Sequence, residues 1–515
     1  MKQYPIKNIL LKLMLLFLLP VLSINSLAQD RLPRSTPERE GVSPEGIRRF
    51  IEAADKHPFE FHSFMLLKNG KVIAEGWWDP YKPDLKHTMY SVTKSFTATA
   101  VGYAVNENLI TVQDTVIRFF PSLLPDTVSP NLARMTIKDL LTMTAGNEPA
   151  GALTDDNWVR AFLHEPVPHV PGTRYFYNTL ASHMLSAIVQ QKTGTTVEAY
   201  LSTRLFKPLG IRDADWVKSP QGITSGGWGL RLKTEDMARF GQLLLDKGKW
   251  KGKQIMPAQW VEDATRKQVE SWPVWVPAGT PADSSDWIQG YGYQFWRNRG
   301  NSYRADGAFG QLIVVMPEYN AVLAVTAGGQ LMQDEMNVIR NYLFPALQQE
   351  EMIKGRRGRK ALQQALRNLA LPLPEKSWKG SSAIRYSGKN FRFKNPSQTI
   401  RFDLSNPGRI NIQLNEADTA HQLSFGNGTW HRGQTYKTAP DLPNLPVGLN
   451  REIYPVQYAG AYTWKDDTTL ELTLRYIESP FHEIYTYRFS DQGLTMELWD
   501  NVSGKKGPFE GELVR

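Results

Sequence analysis

Cysteine is absent from the 515-residue chain. That excludes disulfides and all thiolate chemistry. It does not exclude export, because a chain of this length buries a core that needs no covalent staples. No serine sits in a Gly-x-Ser-x-Gly elbow, which speaks against an α/β-hydrolase. The histidines are scattered, with no His-Glu-x-x-His and no tight His/Asp cluster, so neither a metal nor another cofactor is expected. Long apolar runs are missing too. Leu13 to Leu22 is about ten residues, against the ~20 that a membrane-spanning helix needs.

That short run has a meaning of its own. Lys2, Lys7 and Lys12 precede it, and the small residues Ser26 and Ala28 stand three and one positions before a cut after Ala28. Charged start, short apolar stretch and small-x-small site predict a secretory signal peptide over residues 1–28. The expectation is export, to a periplasm or out of the cell, with no stable membrane anchor after cleavage. The net charge of +9 raises the question of nucleic acid. The basic residues are mostly dispersed, and the one dense run, Lys354 to Lys360, reads as a solvated linker. No nucleic-acid partner is expected. The oligomeric state is left open.

Residues 29–349 mix strands and helices. Ser63 to Trp78 reads as a hairpin around Asn69-Gly70. Helices are expected over Ser91–Asn106, after Thr136 as a cap and up to Gly146, over Leu180–Gly194, after Thr234 as N-cap, and from Asp334 onward. Gly310 to Gly329 reads as a second hairpin around Pro317–Asn320. Strands at both ends with helices between predict an α+β domain whose terminal strands share one antiparallel sheet. Residues 350–376 are charged and helical, then Pro-rich. Residues 377–515 carry short alternating runs such as TIRFDLS, RINIQLN and LELTLRY. They predict a separate all-β module, a small barrel or sandwich.

The chemistry centres on Ser91-Val92-Thr93-Lys94. Alone, the Ser-x-x-Lys spacing is weak: a chain of this composition holds about one or two by chance. Ser503-Gly504-Lys505-Lys506 is such a case, beside glycine and proline, and reads as a turn. Ser91 sits at a helix start, so Lys94 at i+3 shares its face. A serine hydroxyl needs a base. Lysine serves only when neutral, so burial or a nearby positive charge must lower its pKa from about 10.4. The free backbone N–H groups and positive dipole at a helix start suit an oxyanion.

These residues carry a resemblance. HTMYSVTKSFTATAVGYAVNENLI resembles the active-site helix of the serine β-lactamase and penicillin-binding protein superfamily, nearest to class C β-lactamase-like esterases and peptidases. MTIKDLLTMTAG, PGTRYFYNT (Pro171–Thr179), GGWGLRLKTEDMARFGQLLL and ADGAFGQLIVVMPEYNAVLAVTAG resemble further family segments in the expected order. Together they cover about residues 35–347. The resemblance implies a β-lactamase-like sheet with an all-helical lobe, Ser91 as acylated nucleophile, Lys94 as its base, and Tyr177, with a lowered pKa, as proton shuttle. The third family motif falls on Ala305-Asp306-Gly307. The N–H groups of Ser91 and Ala308 then form the oxyanion hole.

Two departures matter. Thr179 stands where the family has asparagine, with Asn178 adjacent and expected to point elsewhere, and Ala305 stands where it has a cationic or aromatic residue. Both weaken the expectation of β-lactam or D-Ala-D-Ala-type chemistry. Asn178, Thr179, Ala305, Asp306, Gly307 and Trp228 are candidates for contact with substrate, while Asp306 also reads as a turn residue. Trp77, Trp78, Trp228 and Trp296 read either as cleft lining or as core. His87 and His183 read as structural. The leading expectation is an exported serine hydrolase acting on an ester, amide or peptide. The alternatives are an acyltransferase to a hydroxyl or amine, a β-lactamase or peptidase, and a silent binding protein on the same scaffold.

Overall fold

The computed structural model describes residues 31–56, 59–148, 156–348, 356–377, 381–394, 397–416, 419–440 and 454–514. The proposed signal peptide lies outside them. Among the described residues, no helix is long and apolar enough to cross a membrane.

Six antiparallel strands form the main sheet: β1 (Phe61–Lys68), β2 (Lys71–Trp77), β3 (Trp296–Arg297), β4 (Tyr303–Gly307), β5 (Gln311–Met316) and β6 (Ala321–Ala327), in the order β2-β1-β6-β5-β4-β3. The β1–β2 turn has both Asn69 and Gly70 in the left-handed region, the conformation that makes Asn-Gly a hairpin signal. The first and last strands of this sheet meet where β1 pairs with β6, Phe64 opposite Val325 and Leu66 opposite Leu323.

The strands are apolar on both faces because both are covered. Phe64, Leu66, Leu312, Val314 and Leu323 face a cluster completed by α1 (Pro44–Lys56). Met65, Leu67, Ile313, Val315 and Val322 face the larger cluster holding α2 (Val92–Asn106), α3 (Thr179–Thr193) and α4 (Thr234–Leu245). Helix α4 begins at Thr234, with Lys233 as N-cap residue. The Thr234 hydroxyl does not cap; it meets Ser63 Oγ at 2.7 Å and so ties the helix to β1. The expected Thr136 cap forms a capping box with Asp139, over the short helix Ile137–Leu141.

Helix α2 is buried from Val92 through Ala104. A helix apolar on one stripe would be amphipathic; this one is enclosed all round, and its small residues allow that. Gly102 meets the Trp260 indole, where a Cβ would collide. Its buried hydroxyls are satisfied: Ser95 donates to Gln294 O at 2.7 Å and Thr97 to Gly226 O at 2.8 Å.

A helix α5 (Arg356–Arg367) lies within the charged stretch and buries Leu362 in the same cluster as α1. The basic run is thus partly a docked helix, with Arg359 paired to Glu38 at 2.9 Å. Beyond it, ten strands follow among the described residues: β7 (Asn390–Phe393), β8 (Gln398–Asp403), β9 (Arg409–Glu416), β10 (Thr419–Asn427), β11 (His431–Thr435), β12 (Val456–Trp464), β13 (Thr469–Tyr476), β14 (His482–Ser490), β15 (Gly493–Asp500) and β16 (Gly504–Val514). Nine of them close into a barrel, β10-β9-β8-β7-β16-β15-β14-β13-β12, and a parallel pairing of Gly426 with Ala461 and Asn427 with Tyr462 shuts the ring. The tenth, β11, shares the edge of β12. Alternate residues Ile410, Ile412 and Leu414, and Leu470, Leu472 and Leu474, fill the interior. Ser503 lies in the β15–β16 turn, its N–H bonded to Asp500, so the second Ser-x-x-Lys is a turn.

The barrel rests on the α+β domain through both apolar and polar contacts. Arg475 donates to Glu60 at 2.6 Å, Tyr81 Oη to Ser479 O at 3.1 Å, and Thr88 N to Glu478 O at 3.0 Å. His87 belongs to this junction, its Nε2 3.0 Å from His62 Nδ1.

Candidate active site

Ser91 precedes the first residue of α2, and its side chain makes no capping bond. The hydroxyl is therefore free for chemistry. Lys94, one turn on, is 1% exposed and places Nζ 3.0 Å from Ser91 Oγ, 2.8 Å from Gly227 O and 3.3 Å from Thr179 Oγ1. Burial alone drives its pKa down to about 7. The three partners fit the neutral amine: two N–H groups serve the Gly227 carbonyl and Thr179, and the lone pair faces the Ser91 hydroxyl. Gly227 comes this close because it has no side chain. A Cβ there would meet Thr179 Cγ2 at 2.5 Å.

Tyr177 adjoins the same pair: its ring centroid is 5.0 Å from Lys94 Nζ, and its hydroxyl interacts with Ser91. The lowered pKa implied by the family resemblance is not found. Loss of water pushes the phenol well up, the Ser91 hydrogen bond opposes this, and Asp306 adds to it. Tyr177 therefore keeps its proton and is a donor, and Lys94 is the group poised to change charge near neutrality.

An aromatic wall explains the environment of Tyr177. Its ring stacks on Trp296 at 5.7 Å and meets Trp275 edge-on at 5.6 Å. Trp287 and Tyr291 each pack on Trp296 at 4.8 Å. Under the wall lies Arg304, with Cζ 4.5 Å from the Trp287 centroid. Arg304 Nε donates to Asp306 at 2.6 Å. Asp306 is thus a strand residue paired with a buried cation, and not a turn residue.

The third-motif strand supplies a backbone donor. Gly307 passes so close to the start of α2 that a Cβ would collide with the Met89 carbonyl and sit 3.2 Å from Val92 N. Ala308, next along, is thereby brought beside Ser91. Among the described residues, neither the Ser91 nor the Ala308 N–H has a hydrogen-bond acceptor, the state required of an oxyanion hole. On its far side the 308–310 turn lies against Glu335, whose fully buried carboxyl has its pKa pushed well up by its loss of water.

Other candidates are placed elsewhere. Asn178 caps α3 by accepting from Ala181 N at 3.2 Å and holds Asn147; it is buried and does not face the nucleophile. Ala305 is 1% exposed, in the core beside Tyr303. Trp228 is core, 5.2 Å from Trp158, and Trp78 is buried. His183 is buried against Trp158. Of the four tryptophans weighed from sequence, only Trp296 belongs to the site wall. Trp275, Trp287 and Tyr291 were missed. For Trp275 the run Ser271-Trp-Pro-Val-Trp-Val276 was the available signal, since a proline-broken apolar run fits neither a helix nor a central strand; Trp287 and Tyr291 carry no such local signal.

The β-lactamase family model matches residues 48–343. The chain belongs to the β-lactamase family. It is 26% identical over 219 residues to the 6-aminohexanoate-dimer hydrolase of Paenarthrobacter ureafaciens, covering 39% of this chain and 56% of the hydrolase. It is 28% identical over 183 residues to esterase EstB of Burkholderia gladioli, covering 30% and 46%. The chain thus spans about half the length of these two relatives. A penicillin-binding protein homologue from Caulobacter crescentus superposes with a TM-score of 0.49 at 16% identity, covering 61% of this chain and 99% of its own. Serine hydrolysis is the chemistry of this family, and the β-lactamase-family site here departs from its commoner form at Thr179, which bonds the lysine, and at Ala305, which is buried.

With Lys94 at about 7, the protonated form predominates below that pH and cannot accept a proton from Ser91. The acylation rate is expected to rise with pH through about 7 and level off above it. Lys94→Arg, charged throughout, is expected to lose this limb and about 10²–10⁴ in rate. Stopped-flow acylation against pH reads it; a profile with no inflection near 7 removes Lys94 as the base.

Proposed function

We propose that this β-lactamase-family protein hydrolyses an ester or amide bond flanked by an apolar, ring-sized group. The observation that carries the reading is the 3.0 Å approach of a buried Lys94, its pKa brought to about 7, to the Ser91 hydroxyl. Neutral Lys94 takes the Ser91 proton as Oγ bonds to the carbonyl carbon. The carbonyl electron pair moves to oxygen, which the Ser91 and Ala308 N–H groups receive. Collapse breaks the bond to the leaving group, which takes up a proton from the Lys94 ammonium, relayed through the Tyr177 hydroxyl. Water then attacks the acyl-enzyme through the same groups in reverse.

The substrate reading rests on the wall. Trp275 is 47% exposed while its ring packs against Tyr177, and Trp272 and Val274 beside it are 45% and 76% exposed. An exposed apolar loop continuous with a catalytic group suits a hydrophobic substituent of the substrate. The buried Ala305 leaves no cation at the third motif, which weighs against a carboxylate-bearing β-lactam or D-Ala-D-Ala-type substrate. Water is taken as the acyl acceptor.

A fluorophosphonate probe is expected to label Ser91 in the wild type and nothing in Ser91→Ala, read by mass spectrometry; equal labelling of both sinks the reading. Across a panel of esters, amides, D-amino-acid peptides and β-lactams, aryl or branched esters are expected to lead. Trp275→Ala is expected to raise KM for these roughly tenfold and leave acetate esters unchanged.

We also propose that the protein acts after export, supported by the charged, apolar and small-residue pattern of residues 1–28. Terminal sequencing of the secreted or periplasmic protein is expected to begin at Gln29. Recovery only of intact protein in the cytoplasm contradicts export.

A further inference from the structure

Two residues without glycine's freedom hold left-handed backbone conformations beside the reacting atoms. Tyr90 has φ +44° and immediately precedes Ser91; Phe309 has φ +64° and immediately follows Ala308. For bulky side chains this is strained backbone, held only where the surroundings enforce it. Each strained residue is thus the chain neighbour of one of the two residues whose N–H groups are assigned to the oxyanion hole.

Their side chains share one neighbour, and it comes from the barrel. Tyr90 and Phe309 pack at 5.5 Å. Phe481 stands edge-on to both, 5.7 Å from Phe309 and 6.4 Å from Tyr90. It is 1% exposed and ends the turn joining β13 to β14. That turn is itself fixed to the α+β domain: Glu478 O receives Thr88 N, two residues before Tyr90, and Ser479 O receives Tyr81 Oη. Asn501, which donates to Pro480 O at 2.8 Å, accepts from Gln330 at 2.7 Å. The barrel's own apolar cluster extends onto Phe309, Tyr90 and Ala308.

We propose that Phe481 is a positioning residue for acyl transfer: the barrel wedges it between Tyr90 and Phe309, locks their left-handed backbones, and so aims the Ser91 and Ala308 N–H groups at one point. The C-terminal barrel is then part of the catalytic unit rather than an appended domain. The proposal rests on the Ser91 hydrolase reading above. Losing one oxyanion donor costs about 10²–10³ in rate, and misplacement by about 1 Å can cost about 10², so a loosened wedge has a measurable effect.

The test uses the full chain. Wild type, Phe481→Ala, Phe481→Leu and Phe489→Ala are compared for the rate of fluorophosphonate labelling at Ser91 and for kcat and KM on an aryl ester, below every melting transition. Phe489 lies at the other end of β14, inside the barrel against Phe402, so its truncation controls for general loss of barrel packing. Phe481→Ala is expected to lower labelling rate and kcat by about tenfold or more with KM nearly unchanged. Phe481→Leu, which keeps most of the wedge, should restore most of the rate, and Phe489→Ala should label like wild type. If Phe481→Ala does not fold, Phe481→Leu still carries the test through a smaller kcat loss at constant KM. Unchanged rates in a folded Phe481→Ala, or equal losses in Phe489→Ala, overturn the proposal. A wild type that is not labelled at Ser91 overturns the hydrolase reading, and this inference falls with it.

Discussion

The site depends on removing water from one amine. Lys94 is enclosed by α2, the start of α3 and the Gly226-Gly227 segment, and the single cause of its lowered pKa is that enclosure. No carboxylate is drawn in to hold it charged. Its hydrogen-bond partners are a carbonyl and two hydroxyls, which a neutral amine satisfies as well as an ammonium. Much of the fold serves this arrangement. Helix α2 must be buried on every side, hence its alanines, threonines and Gly102, and Gly227 must lack a side chain to let its carbonyl approach. Thr179, in place of the commoner asparagine, completes the shell around the amine.

The second constraint is the opposed pair of backbone donors. Gly307 brings the end of β4 against the start of α2, and strained residues flank the donors on both sides. Such conformations are stored where surrounding packing over-determines them. Here the packing comes from two directions: the buried Glu335 carboxyl behind the 308–310 turn, and the barrel's Phe481 in front. The aromatic wall is organised by the same logic at a larger scale. A buried cation, Arg304, lies under Trp287 and is paired with Asp306, so the third-motif side chain is held beneath the wall.

The elements legible in the sequence were those with a local signature. Asn69-Gly70 specified a hairpin, Gly194 a helix end, and period-2 alternation the barrel strands. The Ser91–Lys94 spacing named a pair that the structure brings to 3.0 Å. What depends on long-range packing was not legible. Thr234 looked like a cap, yet Ser63 from another element claims its hydroxyl. Trp228 read either as cleft lining or as core, and its packing on Trp158 places it in the core. The sense of the Tyr177 shift was misjudged because it depends on how much water the wall excludes, and Trp275, Trp287 and Tyr291 are distant in sequence. Closure of the barrel through β10 and β12, and the reach of Phe481 to the nucleophile's neighbour, have no local signature at all.

The account stands on Lys94 being neutral at working pH. Direct titration of its side-chain nitrogen by NMR, with lysine labelled at Nζ and the signal assigned by Lys94→Met, tests this without a substrate. A midpoint near 7 is the result the account predicts. A midpoint near the ordinary lysine value of about 10.4 would contradict it, because Ser91 would then lack the base on which every later step relies.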